Sequence, residues 1–145
     1  MYEAWADGSV RDGNPGIAGF ALYVEHDGTP VYKNALILPI RGTNNEAEYE
    51  AVLAAIQYLR VINNEREDCT IYTDSQLVHG QVAQNWKCNF DHLRKRRDEA
   101  KRLINDLPFS ITLRWVKRFK NTIANELAQA ITQAEKERKC QNSTK

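Results

Sequence analysis

No stretch of the sequence approaches the roughly 20 apolar residues that cross a bilayer, and Met1 to Gly8 lacks the basic start and apolar run of a secretory leader. A membrane-spanning or exported chain is therefore not expected, and a cytoplasmic one is. Cysteine is scarce: Cys69, Cys88 and Cys140 are odd in number and widely spaced, without metal-type pairing. That argues against a disulfide framework or a zinc site and fits a reducing compartment. An excess of one charge is missing too, since the net charge is only +1, which gives no bulk support for a phosphate-binding surface. Internal repeats, low-complexity linkers and composition breaks are also lacking. With 145 residues and 42% hydrophobic content, the chain reads as one domain over 1–135, with a polar tail over 136–145 expected to fray.

Positive residues are nevertheless unevenly placed. They collect in Arg94, Lys95, Arg96, Arg97, Lys101 and Arg102, and again in Arg114, Lys117, Arg118 and Lys120. A one-sided basic surface is one reading; ordinary solvated faces are the other, and the better one for any single cluster.

Residue patterning gives an α/β order. The opening segment, Ile17 to Glu25 and Val31 to Ile40 read as three consecutive antiparallel strands, the last two separated by a turn at Asp27 to Pro30. Thr43 and Glu46 then form a capping box, and Tyr49, Val52, Leu53 and Ile56 repeat at helical spacing. Cys69 to Thr73 is a β-branched run that delivers Asp74 and Ser75 into a short helix carrying Leu77, Val78 and Val82. Asp91 to Leu107 reads as an amphipathic helix, Ile111 to Val116 as a strand, and the residues from Asn121 as a final helix through Ala124, Leu127, Ala128 and Ile131. Such an order predicts a mixed sheet with helices on its faces.

Four sites on this frame are candidates for chemistry. Asp7 opens an Asp-Gly-Ser sequence at the end of the first strand, where a simple turn explains it equally well. Glu48 shares a helix line with Val52, Ala55 and Leu59, so it is expected to be buried. A buried carboxylate is costly unless paired or metal-bound, and function is the better explanation there. Asp74 ends a strand before a helix, where open α/β sheets build ligand sites, although helix capping is sufficient to account for it. Asn125 sits in the first turns of the last helix and is unremarkable by itself. Three carboxylates from different elements suit magnesium, which takes oxygen ligands and few protein donors.

The segments DGSVRDGNPG, TNNEAEYEA, YTDSQLV and NTIANELA occur in that order between Asp7 and about Ala130, and together they resemble type 1 ribonucleases H (ribonuclease HI). The resemblance implies a ribonuclease H-like fold, a five-stranded mixed sheet with strands 1–3 antiparallel, flanked by helices. It implies an endonuclease that hydrolyses the RNA strand of RNA/DNA hybrids with two Mg2+ ions, Mn2+ able to substitute, leaving 5′-phosphate and 3′-hydroxyl ends. Asp7, Glu48 and Asp74 would be catalytic metal ligands. The family's fourth aspartate is here Asn125, whose amide oxygen can touch a cation but adds no charge, so one ion should be held more weakly. Two origins fit: a carboxylate deliberately replaced, or a natural chain that tolerates a neutral ligand. The intactness of the other three ligands favours the first.

Substrate positions carried by the same resemblance are Asn14, Asn44, Asn45 and Gln76 for the minor groove, Thr43 for a phosphate, and Trp86 with Lys87 at the start of a shortened handle region. Arg118 stands near the place of a histidine that many relatives use near product release. A monomer is expected. The competing reading keeps the fold but makes the protein a catalytically inactive hybrid-binding module.

Overall fold

Among the described residues, five strands and four α-helices follow one another: β1 (Tyr2–Arg11), β2 (Ile17–His26), β3 (Thr29–Ile37), α1 (Asn44–Ile62), β4 (Cys69–Thr73), α2 (Gln76–Ala83), α3 (Asp91–Asp106), β5 (Ile111–Trp115) and α4 (Thr122–Ser143). A 3-10 turn, Arg118–Lys120, precedes α4. The structure, a computed structural model, describes residues 1–143. The sheet order is β3-β2-β1-β4-β5. β1, β2 and β3 pair antiparallel, whereas β4 runs parallel to both β1 and β5. This is the mixed five-stranded sheet expected from the residue patterning.

Strand alternation divides the two faces of the sheet. Tyr2, Ala4 and Ala6 of β1 enter the main core with Val52, Ala55, Ile56 and Leu59 of α1 and Leu93, Ala100 and Leu103 of α3. On the other face, Ser9 and Arg11 reach the Thr132 hydroxyl of α4 at 3.0 and 3.1 Å. The capping box at the start of α1 is complete: Thr43 Oγ1 accepts from the Glu46 N–H, and Glu46 Oε1 accepts from the Thr43 N–H.

Three boundaries differ from the expectation. Asp7-Gly8-Ser9 is not a turn, because β1 continues to Arg11 in unbroken register with β2. Gly8 serves a close approach instead: a Cβ there would lie 2.6 Å from the backbone of Ala47 and Glu48, so glycine is what allows α1 onto the strand. β3 begins at Thr29 and ends at Ile37, because the ladder with β2 carries on to the His26–Thr29 pair beside the turn. The polar stretch expected to fray instead continues α4 to Ser143. Pairs one turn apart support it, with Gln133 Nε2 donating to Glu137 and Arg138 paired with Glu135. Residues 144–145 of the expected tail lie outside the described residues.

Cys69 and Cys88 are buried thiols. Among the described residues, no helix is long and apolar enough to cross a membrane.

Candidate active site

The parallel ladder of β1 on β4 aligns Ala6 with Thr73, so the residues that follow, Asp7 and Asp74, stand side by side. Gly8 admits the first turns of α1 and with them Glu48. Asp7, Glu48 and Asp74 each offer a carboxylate oxygen within 4.8 Å of the others. α4 is anchored to the same strand by Asn121, whose Nδ2 donates to the Ala6 carbonyl at 3.0 Å. One turn later Asn125 Nδ2 donates to Asp7 Oδ2 at 2.7 Å, while Asn125 Oδ1 accepts from Gln129 at 3.3 Å. All four residues singled out from the sequence therefore meet.

Asp7 is 0% exposed and Glu48 8% exposed. Asp7 Oδ1 and Glu48 Oε2 are buried with no hydrogen-bond partner among the described residues. Burial pushes the Asp7 carboxyl up to about 6, the negative charge of Asp74 adds to the effect, and the Asn125 amide pulls the other way. Burial also holds Glu48 well above the usual carboxylate range, with the charge of Asp7 next in importance. Adjacent buried carboxyls with vacant oxygens call for a cation, and an all-oxygen donor set selects a hard one. Arg118 supplies one positive charge at the rim, its Nε donating to Asp74 Oδ2 at 3.2 Å. Glu126, the acid next to Asn125, lines a different cavity with Tyr32 and Lys33 and does not make up the missing charge.

The expected substrate residues form two groups. Asn14 Oδ1 accepts from the Asn44 N–H at 2.8 Å, which ties the GNPG loop to the N-terminus of α1 beside Thr43 and Asn45. Gln76 and Trp86 line one cleft, together with His79, Gln84, Arg114 and Trp115. Lys87 is exposed, and its carbonyl accepts from Gln81 Nε2. Sequence reasoning missed Asn121, and it missed Trp115, whose Nε1 donates to the Asp74 carbonyl at 3.2 Å. The only sequence signal for Trp115 was its position at the end of a strand.

Most of the α3 basic run is engaged within the protein. Arg96 pairs with Glu46 and Glu50, Arg94 with Asp91, Arg97 with Asp98, and Arg102 with Glu99 and Asp106. A second acid and histidine grouping, His26, Asp27 and Glu67, already holds a cation, the N-terminal ammonium.

The sequence profile of the RNase H family matches residues 1–137. Ribonuclease HI of Halobacterium salinarum is 36% identical over 127 residues, covering 86% of this chain and 61% of that protein. The crystal structure of RNase H1 from that archaeon superposes with a TM-score of 0.79 at 32% identity, covering 88% of this chain and 94% of the other. The N-terminal RNase H domain of Rv2228c from Mycobacterium tuberculosis gives a TM-score of 0.78 at 32% identity, over 89% and 96% of the two chains. LC11-RNase H1, solved in complex with an RNA/DNA hybrid, shares the fold with a TM-score of 0.80 at 24% identity, over 88% and 93%. The chain spans 61% of the length of the curated halobacterial relative and 33% of the bifunctional mycobacterial protein.

Proposed function

The chain belongs to the ribonuclease H family, and from that premise we propose that it hydrolyses the RNA strand of RNA/DNA hybrids, leaving 5′-phosphate and 3′-hydroxyl ends. The observation that carries the reading is the convergence of Asp7, Glu48 and Asp74 with two buried carboxylate oxygens left unpartnered. These residues fit a divalent cation, and the cofactor proposed is magnesium, two ions, with manganese able to substitute. Asp7, Glu48, Asp74 and the Asn125 amide oxygen would hold it. When bound, the ions supply positive charge for the phosphate and acidify water.

The protein's own contribution is position. Asp7 sits within a paired strand and Glu48 in a capped helix packed on that strand, so their oxygens are pre-aimed at no conformational cost. Asn14, Asn44, Asn45 and Gln76 carry amides that both donate to and accept from a 2′-hydroxyl, the group that distinguishes RNA from DNA in a minor groove. Thr43 is available to a DNA-strand phosphate while capping α1, and Trp86 and Lys87 offer a stacking face and a charge. Arg118 is free to leave Asp74 for a phosphate oxygen, as its side chain is 68% exposed. The reading extends to a monomer acting in the cytoplasm.

A second reading, a hybrid-binding module without turnover, draws on one observation: the Asn125 N–H rather than its oxygen faces Asp7. A cleavage assay on a labelled hybrid with magnesium and then manganese separates the two. Cleavage that disappears in Asp74→Asn supports the hydrolase. Binding without cleavage in either metal supports the module.

A further inference from the structure

On the far side of Asp74 from Asp7 and Glu48, α2 and the edge strand β5 leave a cleft of about 440 Å3 lined by Gln76, His79, Gln84, Trp86, Arg114 and Trp115. The walls thus hold two indoles, an imidazole, two amides and a guanidinium, and no carboxylate. Both indoles are fixed in place. Trp86 lies so close over Gly80 that a Cβ there would fall 2.1 Å from its ring, and its backbone N–H donates to the Gly80 carbonyl at 2.9 Å. Trp115 is held by its bond to the Asp74 carbonyl. Yet the two residues remain 46% and 37% exposed. A ring that is both seated and exposed loses little freedom when a flat group stacks on it.

Charge continues the surface beyond the cleft. Lys117, two residues beyond Trp115, is exposed, and so is Arg118 next to it, which reaches Asp74 as Trp115 does. Aromatic faces interleaved with cations are the chemistry that holds single-stranded nucleic acid: bases stack, and phosphates meet the positive groups. The volume suits one base with its sugar. Gln84 and His79 match the donors and acceptors on a base edge, which an apolar peptide side chain would leave unused.

We propose that this cleft binds an unpaired nucleobase, stacked on Trp86 and Trp115 with its phosphate toward Arg114, in a single strand that runs on from the hybrid at the carboxylate site. The inference rests on the proposed hydrolysis of hybrids for where that strand leads. It predicts that the protein prefers hybrids carrying a single-stranded extension over blunt ones.

The test is binding by fluorescence anisotropy without divalent cation, so that nothing is cut. A blunt hybrid is compared with the same hybrid carrying a short thymidine or uridine extension. The extension should tighten binding about tenfold, the worth of one stacked base. The ratio should fall to about one in Trp86→Ala and be largely kept in Trp86→Phe, which retains a stacking face. Because the ratio is taken within each variant, a general loss of hybrid affinity does not move it. Whether the DNA or the RNA extension acts identifies the strand.

Equal affinity for blunt and extended hybrids in the unmodified chain, or an undiminished ratio in Trp86→Ala, overturns the proposal. Oligothymidylate alone should quench tryptophan fluorescence in the unmodified chain and quench it less in Trp86→Ala. If hybrids are never cut but these two effects persist, the hydrolase reading falls and the cleft stands. If hybrids are cut while the ratio is one, the cleft falls alone.

Discussion

Asp7 carries opposing demands in one side chain: it lies fully inside the protein, beside two other acids, with one oxygen bound by Asn125 and the other without a hydrogen-bond partner among the described residues. Its carboxyl is pushed from an ordinary 3.8 to about 6. An acid whose value is higher in the folded chain than in the unfolded one stabilises fully below the unfolded value and stops doing so as the pH rises through the folded value. The metal-free protein should therefore lose melting temperature between about pH 4 and pH 6, and Asp7→Asn should lessen that loss. Added magnesium should restore the melting temperature at pH 7 in the unmodified chain and much less in Asp7→Asn. A metal-free melting curve that does not differ between the two chains across this range would contradict the assignment. Asn125→Asp moves the same balance in the other direction. A fourth carboxylate beside Asp7 should cost the metal-free chain on the order of 1–2 kcal/mol, raise magnesium affinity and speed cleavage. Calorimetric titration beside thermal melting reads both signs, and equal magnesium affinity for the two chains would sink the account of the fourth ligand. At this scale Glu48 was legible from sequence, because the line through Val52, Ala55 and Leu59 dictated its burial. The Arg118–Asp74 pair was not, since nothing local reports a contact across 44 positions.

Elements were legible where their signals are local. The capping box foretold where α1 starts, and a β-branched run ending in Asp74-Ser75 foretold β4 and α2, with Ser75 Oγ accepting from the Val78 N–H. β1 misled because Asp-Gly-Ser is turn chemistry, whereas the reason for Gly8 is a helix from another part of the chain. Gly8→Ala should thus act on two elements at once, forcing α1 away from β1 and withdrawing Glu48. A stability loss of about 2 kcal/mol or more is expected, together with a larger fall in kcat than in hybrid affinity. Thr43→Ala, by contrast, removes the cap, at about 1 kcal/mol, and with it the proposed phosphate contact, so hybrid affinity should fall more than kcat. Chemical denaturation alongside cleavage kinetics distinguishes the two effects. The last turns of α4 misled for another reason: a polar stretch offers little apolar periodicity to read, and pairs such as Lys136 with Asp12 and Arg138 with Glu135 support it.

For the molecule as a whole, charge location decides more than charge total. The α3 arginines that dominate the sequence are spent on neighbouring acids, so Arg102→Gln should leave hybrid affinity within about twofold. Lys117→Gln, on the surface near Asp74, should weaken binding and lower the slope of log K against log salt by about one. A larger slope change in the α3 variant than in Lys117→Gln would place the binding surface on the other side. This division was hidden in the sequence, where both clusters look alike, because the acids that neutralise Arg96 are supplied by α1 from more than forty residues away.

The central strand has one further implication, for timing. Trp5 and Ala6 are laddered on both sides, to Tyr23 and Leu22 of β2 and to Tyr72 and Thr73 of β4, and Asp7 follows without a break. Backbone amides enclosed in this way exchange with solvent deuterium only when the whole domain opens. The segment bearing Asp7 should be among the last to take up deuterium, and its rate should report global unfolding. Local fraying at Asp7 is then unavailable as a route to inactivation, and heat should abolish catalysis and fold in a single event.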